Sequence, residues 1–230
     1  PPARHLGAVL RLRPGEIVTG ADGAGRWRRY AIGAVASRAV TLEAVGEVMV
    51  EPGLRPRTGV AFALIKGAKP DLVIQKLCEL GVDLAIPFTA ERSIIRWDAA
   101  RSAAAVERWR RIAREAALQC RRARALEVAP VTTFAAVVGC PGTVVAEPSA
   151  PAGADVARGL MEQSREDAIV VVGPEGGLSP HERSLATRLP QMSLGPHVLR
   201  SETAAIVAGA VLTGARWARW QSSDQGKGLL

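Results

Sequence analysis

The segment that most constrains the fold runs from a short apolar stretch into a glycine-rich loop. Ala168–Val172 is continuously apolar, which is typical of a strand buried on both faces of a parallel sheet. Gly173–Gly177 follows, and Ser179 then predicts a helix to about Leu189, with Glu182 completing a capping box. Ligands of α/β proteins bind outside the carboxyl ends of the strands, and glycines there let a ligand approach the backbone. A ligand site is therefore favoured over a mere tight connection.

The chain around this segment alternates between strands and helices. Gly81 ends the first helix, and the last helix is apolar on nearly every side, which predicts that it is buried. Such alternation indicates an α/β fold with a parallel sheet. The predicted strands are Val60–Lys66, Leu84–Thr89, Thr143–Glu147 and Gln191–Leu194, and the other helices start at Pro70 or span Ala99–Cys120 and Ser201–Trp217.

The first fifty or so residues have a different pattern. Short strands separated by turn signals predict a small β-barrel, and Gly23 and Gly25 indicate a hairpin turn. Glu51–Gly59 is rich in Pro and Gly, which indicates an interdomain linker. We therefore predict one domain over residues 1–56 and a second over 57–230. The predicted strands are His5–Leu12, Glu16–Gly20, Trp27–Ala36 and Ala39–Val45.

The composition bears on partners and location. Lys and Arg exceed Asp and Glu by 30 to 22, so the net charge is +8, which suits either a polyanionic partner or ordinary solubility. The three cysteines form no CxxC pair and the three histidines are scattered, so neither a disulfide framework nor a metal site is expected. The absence of a signal peptide and of a membrane-length apolar run predicts a cytoplasmic protein.

A second strand-to-helix loop spans Ser193–Ala204. Neither this loop nor Gly173–Gly177 matches GxGxxG or a P-loop, and the chain contains no GxSxG elbow. Together the two loops resemble those of the RsmE family. Members of this family are small-subunit ribosomal RNA uridine-N3 methyltransferases of the SPOUT superfamily. His5–Gly15, Leu64–Gly67, Gln75–Gly81 and Glu91–Ser93 extend the resemblance over nearly the whole chain.

The resemblance implies an α/β fold in which a PUA-like β-barrel precedes a SPOUT trefoil-knot domain. It also implies a homodimer and the cofactor S-adenosyl-L-methionine, held in a bent form by three loops. The cofactor residues that it implies are Ala146, Glu147, Gly173, Pro174, Glu175, Gly176, Gly177, Leu194, Gly195, Leu199, Arg200 and Thr203. Leu118–Arg122 and His197 depart from the family's usual residues.

The chemistry of the reaction that the resemblance implies makes Arg200 and Glu202 candidate catalytic residues. N3 of uracil must lose its proton before it can attack the methyl group, so a cation beside the base would stabilise the anion. Arg200 could supply that cation, or it could pair with Glu202 or Glu175 and order the loop. Glu202 could orient the substrate or accept the proton.

Arginines in both predicted domains suit a protein that grips 16S rRNA or the small ribosomal subunit through phosphates. For any single arginine in the long helix region, a solvated helix face is as good an explanation as RNA contact. A non-catalytic RNA-binding protein and a SPOUT enzyme that methylates ribose 2′-OH remain alternative functions. The candidate RNA-binding residues are Arg11, Arg13, Arg28, Arg29, Arg110, Arg111, Arg114, Arg121 and Arg122.

Overall fold

The computed structural model describes residues 13–36, 39–93, 95–164 and 167–223. Contacts within the chain divide it into two compact units. One contains the described residues up to Gly53 together with Arg122–Arg124, and the other contains Leu54–Arg121 and the residues from Ala125 onward. The predicted strand His5–Leu12, which includes the candidate RNA ligand Arg11, lies outside the described residues.

The first unit contains a three-stranded antiparallel sheet in the order β1-β2-β3. Its strands are β1 (Ile17–Ala21), β2 (Arg26–Val35) and β3 (Val40–Val50). The predicted hairpin turn joins β1 to β2, where Asp22 Oδ1 accepts hydrogen bonds from the N–H groups of Ala24 (2.7 Å) and Arg26 (3.0 Å). Gly25 has a φ of 103°, a left-handed conformation that favours glycine.

The second unit is built on a parallel sheet, as the alternating pattern predicts. The strand order is β10-β8-β9-β4-β5-β6, and β7 also pairs with β5. Every pairing in this sheet is parallel. The strands are β4 (Arg57–Ala63), β5 (Leu84–Thr89), β6 (Glu127–Val128), β7 (Thr132–Thr133), β8 (Thr143–Ala146), β9 (Asp167–Val172) and β10 (Gln191–Met192).

Helices cover both faces of this sheet, which explains why its central strands are apolar throughout. Val60 and Phe62 of β4 point into one core, and Ala61 and Ala63 point into the other. The first core is closed by α1 (Lys69–Glu79), α2 (Ala99–Gln119), α4 (Gly153–Gln163) and α6 (Ser201–Ser222), and the second by α3 (Phe134–Val138) and α5 (Pro180–Ala186). The sequence did not lead us to predict α3, α4, β6 or β7.

The predicted linker is shorter than expected, because Arg57–Gly59 belongs to β4. Thr58 is buried, and its N–H donates to the carboxylate of Asp83 at 2.8 Å. Arg57 binds Asp167 of β9 at 2.8 Å and Glu127 of β6 at 3.1 Å. Hydrogen bonding to Asp167 also raises the pKa of Arg57. These partners are distant in sequence, so local composition could not reveal that the segment enters the sheet.

The last helix is predicted to be buried because it is apolar on nearly every side, but a single chain buries only one side of it. Ala205, Ala208 and Leu212 of α6 are fully buried. The opposite side is open to solvent, and Trp217 there is 47% exposed. A single sheet covers only one face of a helix that packs on it, so an apolar sequence alone does not bury the other. The exposed positions on this side, which we call the α6 open stripe, are Thr203, Ala210, Gly214 and Trp217.

Candidate functional site

The three predicted cofactor loops lie together at the carboxyl edge of the parallel sheet. They follow β8, β9 and β10, which are neighbours in the order β10-β8-β9. The sequence order of the strands does not require this arrangement, because β10 lies beside β8 rather than beside β9. The edge therefore presents three loops from separate parts of the chain at the position where α/β proteins bind ligands.

Backbone hydrogen bonds join the first loop to the third. The N–H of Glu147 donates to the carbonyl of Met192 at 2.9 Å, and the N–H of Ser193 donates to the carbonyl of Pro151 at 2.8 Å. Gly153 makes this approach possible, because a Cβ at this position would lie 2.5 Å from the carbonyl oxygen of Ser193. Ala146 and Glu147, at the end of β8, are half-buried beside this junction.

The second loop is a tight turn held by the loop after β5. The N–H of Gly177 donates to the carbonyl of Pro174 at 2.9 Å, and Gly177 has a φ of 66°. Arg92 donates to the carbonyl of Gly176 at 3.3 Å. Arg92 belongs to the Glu91–Ser93 block of the resemblance, and its contact gives that block a role in shaping the loop.

The predicted capping box is confirmed and does more than start α5. The hydroxyl of Ser179 accepts from the N–H of Glu182 at 3.0 Å, and the carboxylate of Glu182 accepts from the N–H of Ser179 at 2.8 Å. The second carboxylate oxygen of Glu182 accepts from the N–H of Glu91 at 2.9 Å. Glu182 is buried, so it fixes the loop after β5 against the second cofactor loop from inside the protein.

Lys69, in the first turn of α1, joins the second loop to the start of α6. Its ammonium nitrogen lies 3.1 Å from a carboxylate oxygen of Glu202 and 3.9 Å from one of Glu175. Sequence reasoning missed Lys69. One signal could have found it, because the helix dipole disfavours a cation in the first turn, so a lysine there suggests nearby carboxylates.

Glu202 is held in its ionised form. Burial favours the neutral carboxyl, but the hydrogen bond from its own backbone N–H, the hydrogen bond and charge of Lys69, and the charge of Arg200 outweigh burial. Together they hold the pKa of Glu202 below its ordinary value. A carboxylate with a lowered pKa is a weak proton acceptor, so this environment favours an orienting role for Glu202 over a role as general base.

Arg200 lies exposed at the N-cap of α6, and its side chain makes no capping hydrogen bond. Within the part of the chain that the structure describes, it forms no ion pair, whereas Lys69 pairs with Glu202 and lies near Glu175. The guanidinium group is therefore available to a ligand at the carboxyl edge of the sheet.

The residues around the third loop leave room for a bound molecule. Gly195 has a φ of 155°, and a Cβ built there would meet no atom within 4 Å. Leu194 and Leu199 are half-buried against the first core, and Thr203 is exposed on the first turn of α6. An open glycine flanked by two leucines suits the apolar ring and close backbone contacts of a nucleoside.

The candidate RNA-binding arginines differ in how free their guanidinium groups are. Arg13 and Arg29 of the first unit are exposed, whereas Arg28 donates to the carbonyl of Gly46 at 2.9 Å and Arg122 is half-buried. In the second unit, Arg111, Arg114 and Arg121 are exposed. Arg110 is half-buried, since it donates twice to the carbonyl of Val128 at 3.2 Å and pairs with Glu107 at 2.7 Å.

Two kinds of site are not found among the described residues. No group of three or more His, Cys, Asp or Glu side chains is arranged to hold a metal ion. In the same residues, no helix combines the length and apolarity needed to cross a membrane.

The chain is similar to known methyltransferases over most of its length. Residues 54–213 match the family model described as an RNA methyltransferase domain. The ribosomal RNA small subunit methyltransferase E of Mycobacterium bovis is 35% identical, and the match covers 95% of this chain and 86% of that protein.

Solved structures give the same result. A methyltransferase from Legionella pneumophila, solved with the bound cofactor SAM, is 30% identical with a TM-score of 0.81, covering 93% of this chain and 88% of that one. The ribosomal RNA small subunit methyltransferase E of Neisseria gonorrhoeae, bound to S-adenosyl methionine, is 26% identical with a TM-score of 0.77, covering 96% and 88%. This chain therefore belongs to the ribosomal RNA small subunit methyltransferase E family, and most of its second unit is the RNA methyltransferase domain.

Proposed function

We propose that this protein transfers a methyl group from S-adenosyl-L-methionine to N3 of a uridine in small-subunit ribosomal RNA. The observation that carries the proposal is the cluster of three cofactor loops at one edge of the parallel sheet, in a chain that belongs to this family. Two related structures contain the cofactor. The intact cluster argues against a purely non-catalytic RNA-binding protein.

The residues of the three loops fit the proposed cofactor. Gly195 opens space for it, Leu194 and Leu199 provide apolar walls, and the first loop is fixed to the third by backbone hydrogen bonds. When bound, S-adenosyl-L-methionine supplies an electrophilic methyl group. The cofactor-binding set that we propose is Ala146, Glu147, Gly173, Pro174, Glu175, Gly176, Gly177, Leu194, Gly195, Leu199, Arg200 and Thr203.

The catalytic task of the protein is to stabilise a uracil anion and align its N3 with the methyl group. The free guanidinium of Arg200 provides the positive charge. Glu202, fixed by Lys69, orients Arg200 or the base, and Lys69 also attaches the second loop to α6. The structure points to Lys69 as a positioning residue that the sequence motifs did not suggest.

The proposal includes a specific fold for each of the two units. The three-stranded sheet of the first unit forms part of a PUA-like barrel that binds RNA, in a domain ending near residue 56. The rest of the chain folds as a SPOUT trefoil knot. What supports the knot is that β10 lies at the sheet edge, whereas α6 packs against the central strands β4 and β9.

The α6 open stripe supports a homodimer, because a second chain would remove its apolar side chains from water. The enzyme would work in the cytoplasm, where small-subunit ribosomal RNA is found. On α2, we expect Arg111 and Arg114 to contribute more to RNA binding than Arg110. The other RNA contacts would come from Arg11, Arg13, Arg28, Arg29, Arg121 and Arg122.

A methyl-transfer assay followed by nucleoside analysis tests the function. Small subunits, naked small-subunit RNA and large subunits are each incubated with labelled cofactor, and the RNA is digested and separated. We expect 3-methyluridine from small-subunit substrates alone. A product methylated on ribose 2′-OH would contradict the N3 assignment, and failure to bind the cofactor in calorimetry would favour the non-catalytic alternative.

A further inference from the structure

A cavity of about 580 Å³ lies next to the proposed cofactor site, within the second unit. The loop after β4, the first turn of α1, the loop after β5 and the first half of α2 form its walls. None of the proposed cofactor residues lines it. Because Lys66, Arg96 and Arg101 on its walls are exposed, the cavity is open to solvent.

The charge of the cavity selects for an anion. Lys66, Arg96, Arg101 and Arg108 line it, and Asp71 is the one carboxylate among its lining residues. Asp71 is already occupied, because it pairs with Arg108 and accepts a hydrogen bond from the indole N–H of Trp109 at 3.1 Å. Lys66 and Arg101 have no ion-pair partner among the described residues, so two cations face the cavity unneutralised.

The ring of Trp97, which packs against Trp109, contacts one of these cations. The rings of Trp97 and Trp109 lie 5.9 Å apart, and Trp109 is buried. The guanidinium carbon of Arg101 lies 5.3 Å from the centre of the Trp97 ring, a cation–π contact. Arg101 is therefore pre-organised, and a guanidinium plane fixed in this way can bind a phosphate through its edge or stack on a base.

The cavity lies close to the residues that we propose for methyl transfer. Pro70 lines the cavity, and its neighbour Lys69 contacts Glu175 and Glu202 of the proposed active site. The first turn of α1 thus separates the cavity from the cofactor loops. A molecule that occupies both would have to extend past this turn, as a single-stranded nucleic acid can.

We propose that this cavity binds a nucleotide of the substrate RNA that flanks the target uridine. Lys66 and Arg101 contact its phosphate, and the Arg101 guanidinium provides the surface on which the base stacks. A flipped target base requires its strand to be held on at least one side, and a cationic pocket beside the active site provides that hold. The inference rests on the proposed function.

The sharpest test places a negative charge in the cavity without removing any contact. Ala104 lines the cavity and is exposed, whereas its neighbour Ala103 is exposed and does not line it. Ala104→Glu should raise the KM for naked small-subunit RNA about tenfold with little change in kcat, because the carboxylate repels the phosphate. Ala103→Glu, which has the same net charge on the same helix, should retain the wild-type KM.

A second pair of variants tests the cations themselves by the salt dependence of RNA binding. Lys66→Ala combined with Arg101→Ala should lower the slope of log affinity against log salt by about 0.7, which corresponds to the loss of one neutralised phosphate on a single strand. The control combines Arg158→Ala and Arg188→Ala, two exposed arginines outside the cavity, and should lower the slope less.

Cofactor affinity, measured by calorimetry on every variant, separates the two proposals. A wild-type protein that binds no cofactor and methylates no RNA would refute the proposed function. A wild-type protein that methylates RNA, combined with equal KM values for the Ala104→Glu and Ala103→Glu variants, would overturn the cavity assignment alone. Equal salt slopes for the two double variants would also overturn it.

Discussion

At the residue scale, the ion pairs of Lys69 determine what its neighbours can do. Lys69 binds Glu202 and approaches Glu175, whereas Arg200 forms no ion pair with either carboxylate among the described residues. The sequence supports a loop-ordering role for Arg200 almost as well as anion stabilisation, and the missing ion pair favours the anion-stabilising role that we propose. The charge of Arg200 still contributes to lowering the pKa of Glu202, so the two side chains are electrostatically coupled.

Replacement of Arg200 tests the anion-stabilising role. A nearby cation lowers the pKa of a bound uracil, so Arg200→Ala should slow single-turnover methylation at neutral pH and move the pH–rate profile upward. We expect a loss of roughly a hundred- to a thousand-fold, by comparison with the loss of one oxyanion donor, with cofactor affinity largely kept. Arg188→Ala, an exposed arginine outside the site, serves as the control. Lost cofactor affinity with an unchanged pH profile would contradict this role.

Replacement of Lys69 tests whether its ammonium group lowers the pKa of Glu202. In the wild type, the lowered pKa of Glu202 stabilises the fold above the ordinary value of 4.5, and this contribution is lost as the pH falls through the folded-state pKa. Lys69→Met removes a hydrogen bond and a charge, so the pKa of Glu202 should rise. The free energy of unfolding of Lys69→Met, measured with urea, should differ most from that of the wild type above pH 4.5. The difference between the two proteins should become smaller in acid.

Lys76→Met is the matched control for this prediction, because Lys76 lies on the same helix and pairs with Glu79. Its partner is three residues away in sequence, so the pair contributes little. The carboxyl signal of Glu202 in an NMR titration reports the pKa directly. An unchanged Glu202 pKa in Lys69→Met would refute the coupling.

At the scale of elements, the strand–loop–helix unit from β9 to α5 is the most fully specified part of the chain. Gly177 needs its left-handed conformation, whereas Gly176 does not. A Cβ on Gly176 would make only ordinary contact with Arg92, at 3.6 Å. The backbone conformation therefore explains the glycine at 177, whereas position 176 leaves space for the ligand contact that we propose.

Gly176→Val tests whether the second loop binds the cofactor. A Cβ at this position makes only ordinary contacts, so we expect the thermal stability to be nearly unchanged. A ligand that contacts the backbone there would be displaced, and we expect cofactor affinity to fall roughly ten- to a hundredfold. Gly159→Val, on α4, adds the same side chain where a Cβ meets one side-chain atom at 3.7 Å. If calorimetry gave equal cofactor affinities for the wild type and both variants, the second loop would not contact the cofactor.

At the scale of the whole molecule, the α6 open stripe is the helix surface that a single chain leaves exposed to solvent. Trp217 exposes nearly half of its surface, and Ala210 and Gly214 lie on the same side of the helix. Small residues beside a tryptophan allow two helices to approach closely. We therefore expect two chains to associate through α6.

Light scattering at micromolar concentration should give twice the chain mass of 24.2 kDa. Ala210→Glu places a charge in the middle of the stripe and should shift the equilibrium toward the monomer, because an unpaired buried charge is costly. Ala103→Glu, on α2, should remain dimeric. A wild-type protein of monomeric mass, or a dimer unaffected by Ala210→Glu, would show that α6 is not the interface.

The sequence by itself determined the features that depend on neighbouring residues. Apolar runs identified β5 and β9, Ser179 and Glu182 marked the start of α5, and the glycines located the second loop, because periodicity, caps and turns act over a few residues. The alternation of elements also established the parallel sheet of the second unit. The strands β6 and β7, of two residues each, are too short to leave a periodic signal.

Only the tertiary structure decided which distant groups meet. The hydrogen bond from Lys69 to Glu202 spans 133 residues of sequence, and no local pattern encodes it. Packing likewise directs Arg110 to a backbone carbonyl, brings Arg57 into the sheet, and gathers Lys66 and Arg101 around one cavity. Each of these outcomes depends on how layers of helices and strands are stacked. Residue chemistry specifies which interactions are possible, and the packing of the layers selects which of them form.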